Sequence, residues 1–176
     1  TTGNVNTAIG HGSLGANTTG VANTALGRQA LKLNTTANFN VAVGAESMTS
    51  NTTGANNVAI GYEAGYSNTD QGSNVYIGYQ AGYTNNEDSN VAVGSKAMYS
   101  GTTANSNVAV GRDSLQSITT GSTNVAVGRN TLLTDTQGSR SVALGYQALK
   151  TQNFTSATDA YNVAVGFNSG LSLTTG

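Results

Sequence analysis

The sequence predicts an all-β fold, a β-solenoid of ten coils of about 17 residues, and three observations predict it. A motif close to Asn-Val-Ala-Val-Gly recurs ten times in 176 residues, closing at Gly10, Gly27, Gly44, Gly61, Gly78, Gly94, Gly111, Gly128, Gly145 and Gly166. Seven of the first eight intervals are 17 residues, the other is 16, and the last is 21. A fixed period of this size marks a stack of like units whose apolar faces are buried only against one another. Inside each motif the apolar residues recur at every second position, and Asn, Val, Thr and Gly are poor helix formers, so helical repeats are excluded. At about 4.7–4.9 Å per strand spacing, ten such coils make one rod-shaped domain on the order of 45–50 Å long, spanning residues 1–176.

Each coil begins with an asparagine: Asn6, Asn23, Asn40, Asn57, Asn74, Asn90, Asn107 and Asn124, then Ser141 and Asn162. Stacked coils place these amides one strand spacing apart, where they can form a ladder and hold register. Ten equivalent copies suit a structural role better than a differentiated site. The strand follows. Its β-branched residues, such as Val41, Val58, Val75, Val91 and Val108, alternate with Ala42, Ala59, Tyr76, Ala92, Ala109 and Ala126 and precede branched aliphatics such as Val43, Ile60, Ile77, Val93 and Val110. Period-2 alternation puts both branched columns on one face. That face is expected to line the coil interior. The alanine face is then expected to be a subunit interface, since an exposed strand face is normally polar and a coil this thin is poorly stabilised alone.

The closing glycine supplies a bend or a positive φ at the strand exit. Beyond it, stretches such as Gly27-Arg28-Gln29-Ala30-Leu31 predict a second short strand, with Leu14, Leu31, Met48, Met98, Leu115, Leu132 and Leu149 completing the interior. At Gly65, Gly82 and Gly170 a glycine takes that place, and the bulky Tyr66, Tyr83 or Leu171 next to it is expected to repack the gap. The remaining segment of each coil is a polar turn region, often Asn-Thr-Thr-Gly. Lys150 to Tyr161 carries a four-residue insertion, expected to bulge from the surface. Thr1-Thr2-Gly3 and Thr174-Thr175-Gly176 share one phase of the cycle, so the expectation is a segment of a longer fibre.

Composition narrows the function classes. Charged residues are 9% of the chain and the net charge is −1, which leaves no overall electrostatic footprint for nucleic acid. No apolar run approaches the roughly 20 residues of a membrane span, so membrane insertion is not expected. Without cysteine, the redox compartment is not legible.

Chemistry is sparse. His11 is the only histidine, so neither a histidine-based metal cluster nor a Ser-His-Asp triad is expected, and no cofactor is implied. The acids Asp70, Glu87, Asp88, Asp135 and Asp159 fall in turn regions and read as solvated charges, with no paired acids for glycoside hydrolysis. The expectation is therefore a non-enzyme. Aromatic residues do concentrate: Tyr62, Tyr66, Tyr79 and Tyr83 occupy two adjacent coils and are the candidate glycan or partner contacts, although such residues more often fill grooves between subunits. Asn17, Asn34, Asn51 and Asn153 each begin an N-glycosylation sequon. Thr18, Thr35, Thr52, Thr69, Thr102, Thr119 and Thr136 share one phase, which raises ice binding as a minor alternative.

These repeats resemble the β-roll repeats in the heads of trimeric autotransporter adhesins. They resemble more closely the Asn-[Thr/Val]-Ala-[Val/Ile]-Gly-Tyr-Gln-Ala-Leu repeats of bacteriophage tail fibre proteins, which Gly145-Tyr146-Gln147-Ala148-Leu149 and Gly78-Tyr79-Gln80-Ala81 match almost letter for letter. The resemblance covers the whole chain. It implies a parallel homotrimer of left-handed β-rolls in an extracellular setting, either a virion tail fibre that attaches to a host glycan or protein receptor, or a bacterial or archaeal cell-surface adhesin or filament. Adhesin heads commonly use a shorter repeat, which favours the fibre side.

Overall fold

The computed structural model describes residues 2–175. Thr1 and Gly176, which complete the phase match between the two ends, lie outside them. The fold is a parallel β-solenoid, with no helix among the described residues. Its strands are β1 (Thr7–Ile9), β2 (Thr24–Leu26), β3 (Val41–Val43), β4 (Val58–Ile60), β5 (Val75–Ile77), β6 (Val91–Val93), β7 (Val108–Val110), β8 (Val125–Val127), β9 (Gly138–Ser139), β10 (Val142–Leu144), β11 (Thr158–Asp159) and β12 (Val163–Val165). Among the described residues, β1 to β8 with β10 and β12 form a ten-stranded sheet in chain order, and β9 pairs with β11 in a second one. Every pairing is parallel and in repeat register, for example Ala42 with Ala59 and Ala59 with Tyr76.

The strands are oriented opposite to the expectation. Ala42, Ala59, Tyr76, Ala92, Ala109 and Ala126 are fully buried inside their own coils, so they cannot be a subunit interface. The flanking branched residues point outward and remain half-buried or exposed, as at Val41 and Val43, Val58 and Ile60, or Val125 and Val127. The reason is width. The expected Leu and Met column, from Leu31 through Met48 and Leu115 to Leu149, does fill the interior from the opposite wall, and what remains facing it accommodates only a methyl group.

Tyr76 shows this fit directly. It is the one bulky residue in the alanine column, and a Cβ added at Gly65 would lie 2.7 Å from its Cδ2, with Gly82 tighter still. The ring therefore occupies the space that Leu or Met takes in other coils, and Gly65 and Gly82 are compensated by Tyr76 rather than by Tyr66 and Tyr83.

The expected second strand does not form. Gln29 and Leu31 have φ of 60° and 49°, Glu46 and Met48 have 58° and 47°, and the pattern recurs in later coils, so this wall is a run of turns with left-handed residues at alternate positions. Such conformations cost non-glycine residues about 1–2 kcal/mol each. The ladder offsets this cost: Gln29 N–H donates to His11 O in the preceding coil at 2.9 Å, and Leu31 N–H to Ser47 O in the following coil at 3.1 Å. The closing glycines have φ between 126° and 138°. From Gly10 to Gly145, an added Cβ would collide with the carbonyl of the next closing glycine.

The leading asparagines form the expected ladder through the backbone. From Asn23 to Ser141, each backbone N–H donates to the Oδ1 of the asparagine one coil earlier at 2.8–3.0 Å. The Nδ2 groups cross the coil to carbonyls 14 residues ahead, as from Asn40 to Gly54 O and from Asn124 to Gly138 O, both at 2.8 Å. Asn74 stands in the 16-residue coil, where its Nδ2 is buried without a partner.

A second ladder joins Asn34 to Asn17, Asn51 to Asn34 and Asn68 to Asn51 by amide–amide bonds of 2.9, 3.0 and 3.3 Å. The insertion after Lys150 only partly bulges. Gln152 and Phe154 are buried, and β11 pairs with β9. Gln152 Nε2 donates to Ser141 Oγ at 3.1 Å and its Oε1 accepts from Asn162 Nδ2 at 2.8 Å, filling the gap left where serine replaces asparagine.

Candidate functional site

Because the coil interior is filled by Ala, Leu, Met and Asn, the chain's chemistry is displayed on its outer walls. The largest feature is the outer face of the long sheet. Two columns of mostly branched residues run along it, from Thr7 and Ile9 to Val163 and Val165, and all of them are half-buried or exposed. Ile9 is 59% exposed, Leu26 44% and Val165 67%. A continuous aliphatic stripe of this length exceeds the scattered apolar residues normal on a monomer surface, which makes it the candidate interaction face.

The candidate tyrosines border this stripe and the turn wall beyond it. Tyr62 and Tyr79 are exposed and stack on each other with ring centroids 5.8 Å apart. Tyr66, Tyr83 and Tyr99 form a three-ring stack at 5.2 and 5.1 Å. The structure thus joins the four candidate residues into two ladders. In each ladder the ring faces turned toward a neighbour are covered, which leaves the edges, the hydroxyls and the end faces of the stack to an approaching molecule. That geometry suits hydrogen bonding or a packed protein surface better than the face-on stacking by which aromatic rings hold sugars. Glu63, through hydrogen bonding and charge, holds the Tyr62 hydroxyl above its ordinary pKa. Burial, then the charge of Glu63, raises that of Tyr83.

The other candidates resolve individually. His11 is exposed. Among the described residues, no three of the histidine and the acids gather into a group able to hold a metal ion. Asp135 departs from the solvated reading. It is 1% exposed and accepts bonds from Gly138 N–H at 3.0 Å, Phe154 N–H at 3.1 Å and Gln152 Nε2 at 2.6 Å. Asp70 remains exposed, and hydrogen bonds from Thr69 and then Asn86 pull its carboxyl below the ordinary value. Asn34 and Asn51 are fully buried with their amides bonded, which removes two of the four sequons from reach in the folded chain.

The phased threonines use their hydroxyl hydrogens internally. Thr18, Thr35, Thr52, Thr102 and Thr119 each donate to the carbonyl of the threonine one coil ahead at 2.9–3.1 Å. No helix among the described residues is long and apolar enough to cross a membrane. No family model, curated protein or solved structure matches the chain.

Proposed function

We propose that this chain is a shaft segment of a homo-oligomeric extracellular fibre, in which three parallel copies pack around a common axis and hold an attachment surface toward a host. A virion tail fibre is the form we favour, and a cell-surface adhesin or filament is the second form of the same architecture. One observation carries the reading: the aliphatic stripe on the outer face of the sheet. Fully burying one valine or isoleucine is worth about 1.5–3 kcal/mol, so two columns along the rod provide a large driving force for association. The face repeats at the strand spacing, so a parallel copy in register meets like residues coil by coil. A heterologous contact of this kind stays finite only if its rotation closes a ring, and the resemblance to trimeric fibres gives that ring three members.

The test is a mass measurement in solution by light scattering. The expected mass is three times the 17.7 kDa of one chain. A stable monomer with the coil intact would remove the shaft reading. The choice between virion and cell surface turns on the flanking sequence of the full-length gene product: a terminal chaperone domain supports the tail fibre, and an outer-membrane anchor supports the adhesin.

A further inference from the structure

Three of the seven lysines and arginines, Lys96, Arg112 and Arg129, line one open groove of about 650 Å³ on three consecutive coils. Ser95, Asp113, Gln116, Asn130 and Leu133 complete its walls. Its floor is fixed by the ladder: Asp113 N–H donates to Ser95 O and Asn130 N–H to Arg112 O, both at 3.0 Å. Arg112 and Arg129 each directly follow a closing glycine, so their backbones stand about one strand spacing, ~4.8 Å, apart and both side chains start from one column.

Outside the groove, both arginines are neutralised between coils. Arg28 pairs with Glu46, and Arg140 Nε lies 3.1 Å from Asp159. In the groove only Arg112 has a counter-ion, Asp113 at 2.9 Å. Among the described residues, Arg129 has no carboxylate within ion-pair distance, and its guanidinium sits 5.9 Å from the Tyr146 ring. Lys96 likewise lies over a ring, 5.5 Å from the centre of Tyr99. Like charges at neighbouring exposed positions disfavour the fold.

We propose that this groove binds an acidic polysaccharide, with the Arg112–Arg129 pair clamping a sugar carboxylate or sulfate and Lys96 a second anionic group. Arginine is suited to such bidentate recognition. The neutral lining favours sugar over nucleic acid. Gln116, Asn130 and Ser95 supply donors and acceptors for sugar hydroxyls. The proposal rests on the attachment reading and deepens it by naming what the shaft itself grips.

The intact assembly is titrated at low salt with oligogalacturonate, a sulfated dextran oligosaccharide, neutral dextran and duplex DNA of matched charge. The expected result is saturable binding of at least one acidic sugar and none of neutral dextran, weakened about tenfold or more by Arg129→Ala and by Arg112→Ala. Arg28→Ala, which removes an ion-paired arginine from the same column, leaves binding unchanged. Failure to bind either acidic sugar overturns the proposal. So does equal weakening by Arg28→Ala, which reveals diffuse attraction, or tighter binding of DNA. Light scattering on the same samples separates the two readings: a trimer that ignores acidic sugars ends only this proposal, whereas a monomer ends the shaft.

Discussion

Tyr76 sets the volume balance of the rod interior at the scale of a single residue. Its ring faces Gly65 and Gly82, so bulk added on one wall is removed from the other. Tyr76→Ala should cost about 3–5 kcal/mol through the cavity it leaves. Gly82→Leu alone should cost about 1–3 kcal/mol by collision with the ring, since leucine already tolerates this backbone conformation at Leu31 and Leu115. Combining them refills the Gly82 side of the cavity and leaves only the Gly65 gap, so the double variant should be more stable than the sum of the single costs predicts; simple additivity in denaturant titrations would refute the shared cavity. The tyrosine hydroxyl is buried without a partner, and desolvation pushes its pKa far above the ordinary value of 10.0. A folded-state pKa above the unfolded one contributes stability below pH 10.0 that is lost as pH rises toward the folded value, by up to about 1.4 kcal/mol per pH unit. Tyr76→Phe should therefore leave stability at pH 7 equal or slightly higher and reduce alkaline unfolding. An unchanged alkaline midpoint would show that other groups set it. The same residue explains the reversed strand orientation. Alternation groups side chains into two faces but does not say which face points inward. The needed signal was present in the coincidence of Tyr76 with Gly65 and Gly82, because columns that exchange volume must face one another.

Each coil is held by two backbone devices of different legibility at the scale of the element. The closing glycine is legible, being invariant across the ten coils, with φ near 130° and no room for a Cβ from Gly10 to Gly145. The left-handed turn wall is not, because Gln29, Glu46, Lys96, Asp113 and Asn130 carry no common turn signature; the ladder to neighbouring coils imposes the conformation. The second asparagine ladder was visible as a column, yet its members also fit ordinary turn chemistry, and only the packing buries them. These differences are testable with two glycines that both have positive φ. Gly12, at 71°, stands where other coils place Gln29 or Glu46, and a Cβ added there would meet nothing closer than the Gln29 Cγ at 3.6 Å. Gly12→Gln should cost only the strain of a left-handed non-glycine residue, about 1–2 kcal/mol, and leave one cooperative transition. Gly111→Ala combines a strained φ of 129° with a collision against Gly128 in the next coil. It should separate the stack into halves that melt independently, since each coil is supported only by its neighbours. A single cooperative transition at the parental temperature for Gly111→Ala would mean that the rod relaxes around the added methyl.

For the whole molecule, the reversed strand face moves the proposed assembly surface from the alanines to the branched aliphatics, and neighbouring residues of one strand now carry opposite predictions. Ala109 is fully buried, whereas Val110, next to it in β7, faces outward. Ala109→Val adds two methyl groups to a filled interior and should cost about 1–3 kcal/mol per chain, with the oligomer persisting wherever the coil still folds. Val110→Asp leaves the interior untouched but places copies of one carboxylate in the aliphatic stripe, where desolvation and mutual repulsion oppose association. A charge there should dissociate the assembly while the β-sheet circular dichroism of each chain is retained. Measuring mass and spectrum together on both variants makes the outcome decisive. If Val110→Asp stays fully assembled and Ala109→Val does not, the copies meet on some other wall, and the aliphatic stripe is not the axis of the fibre.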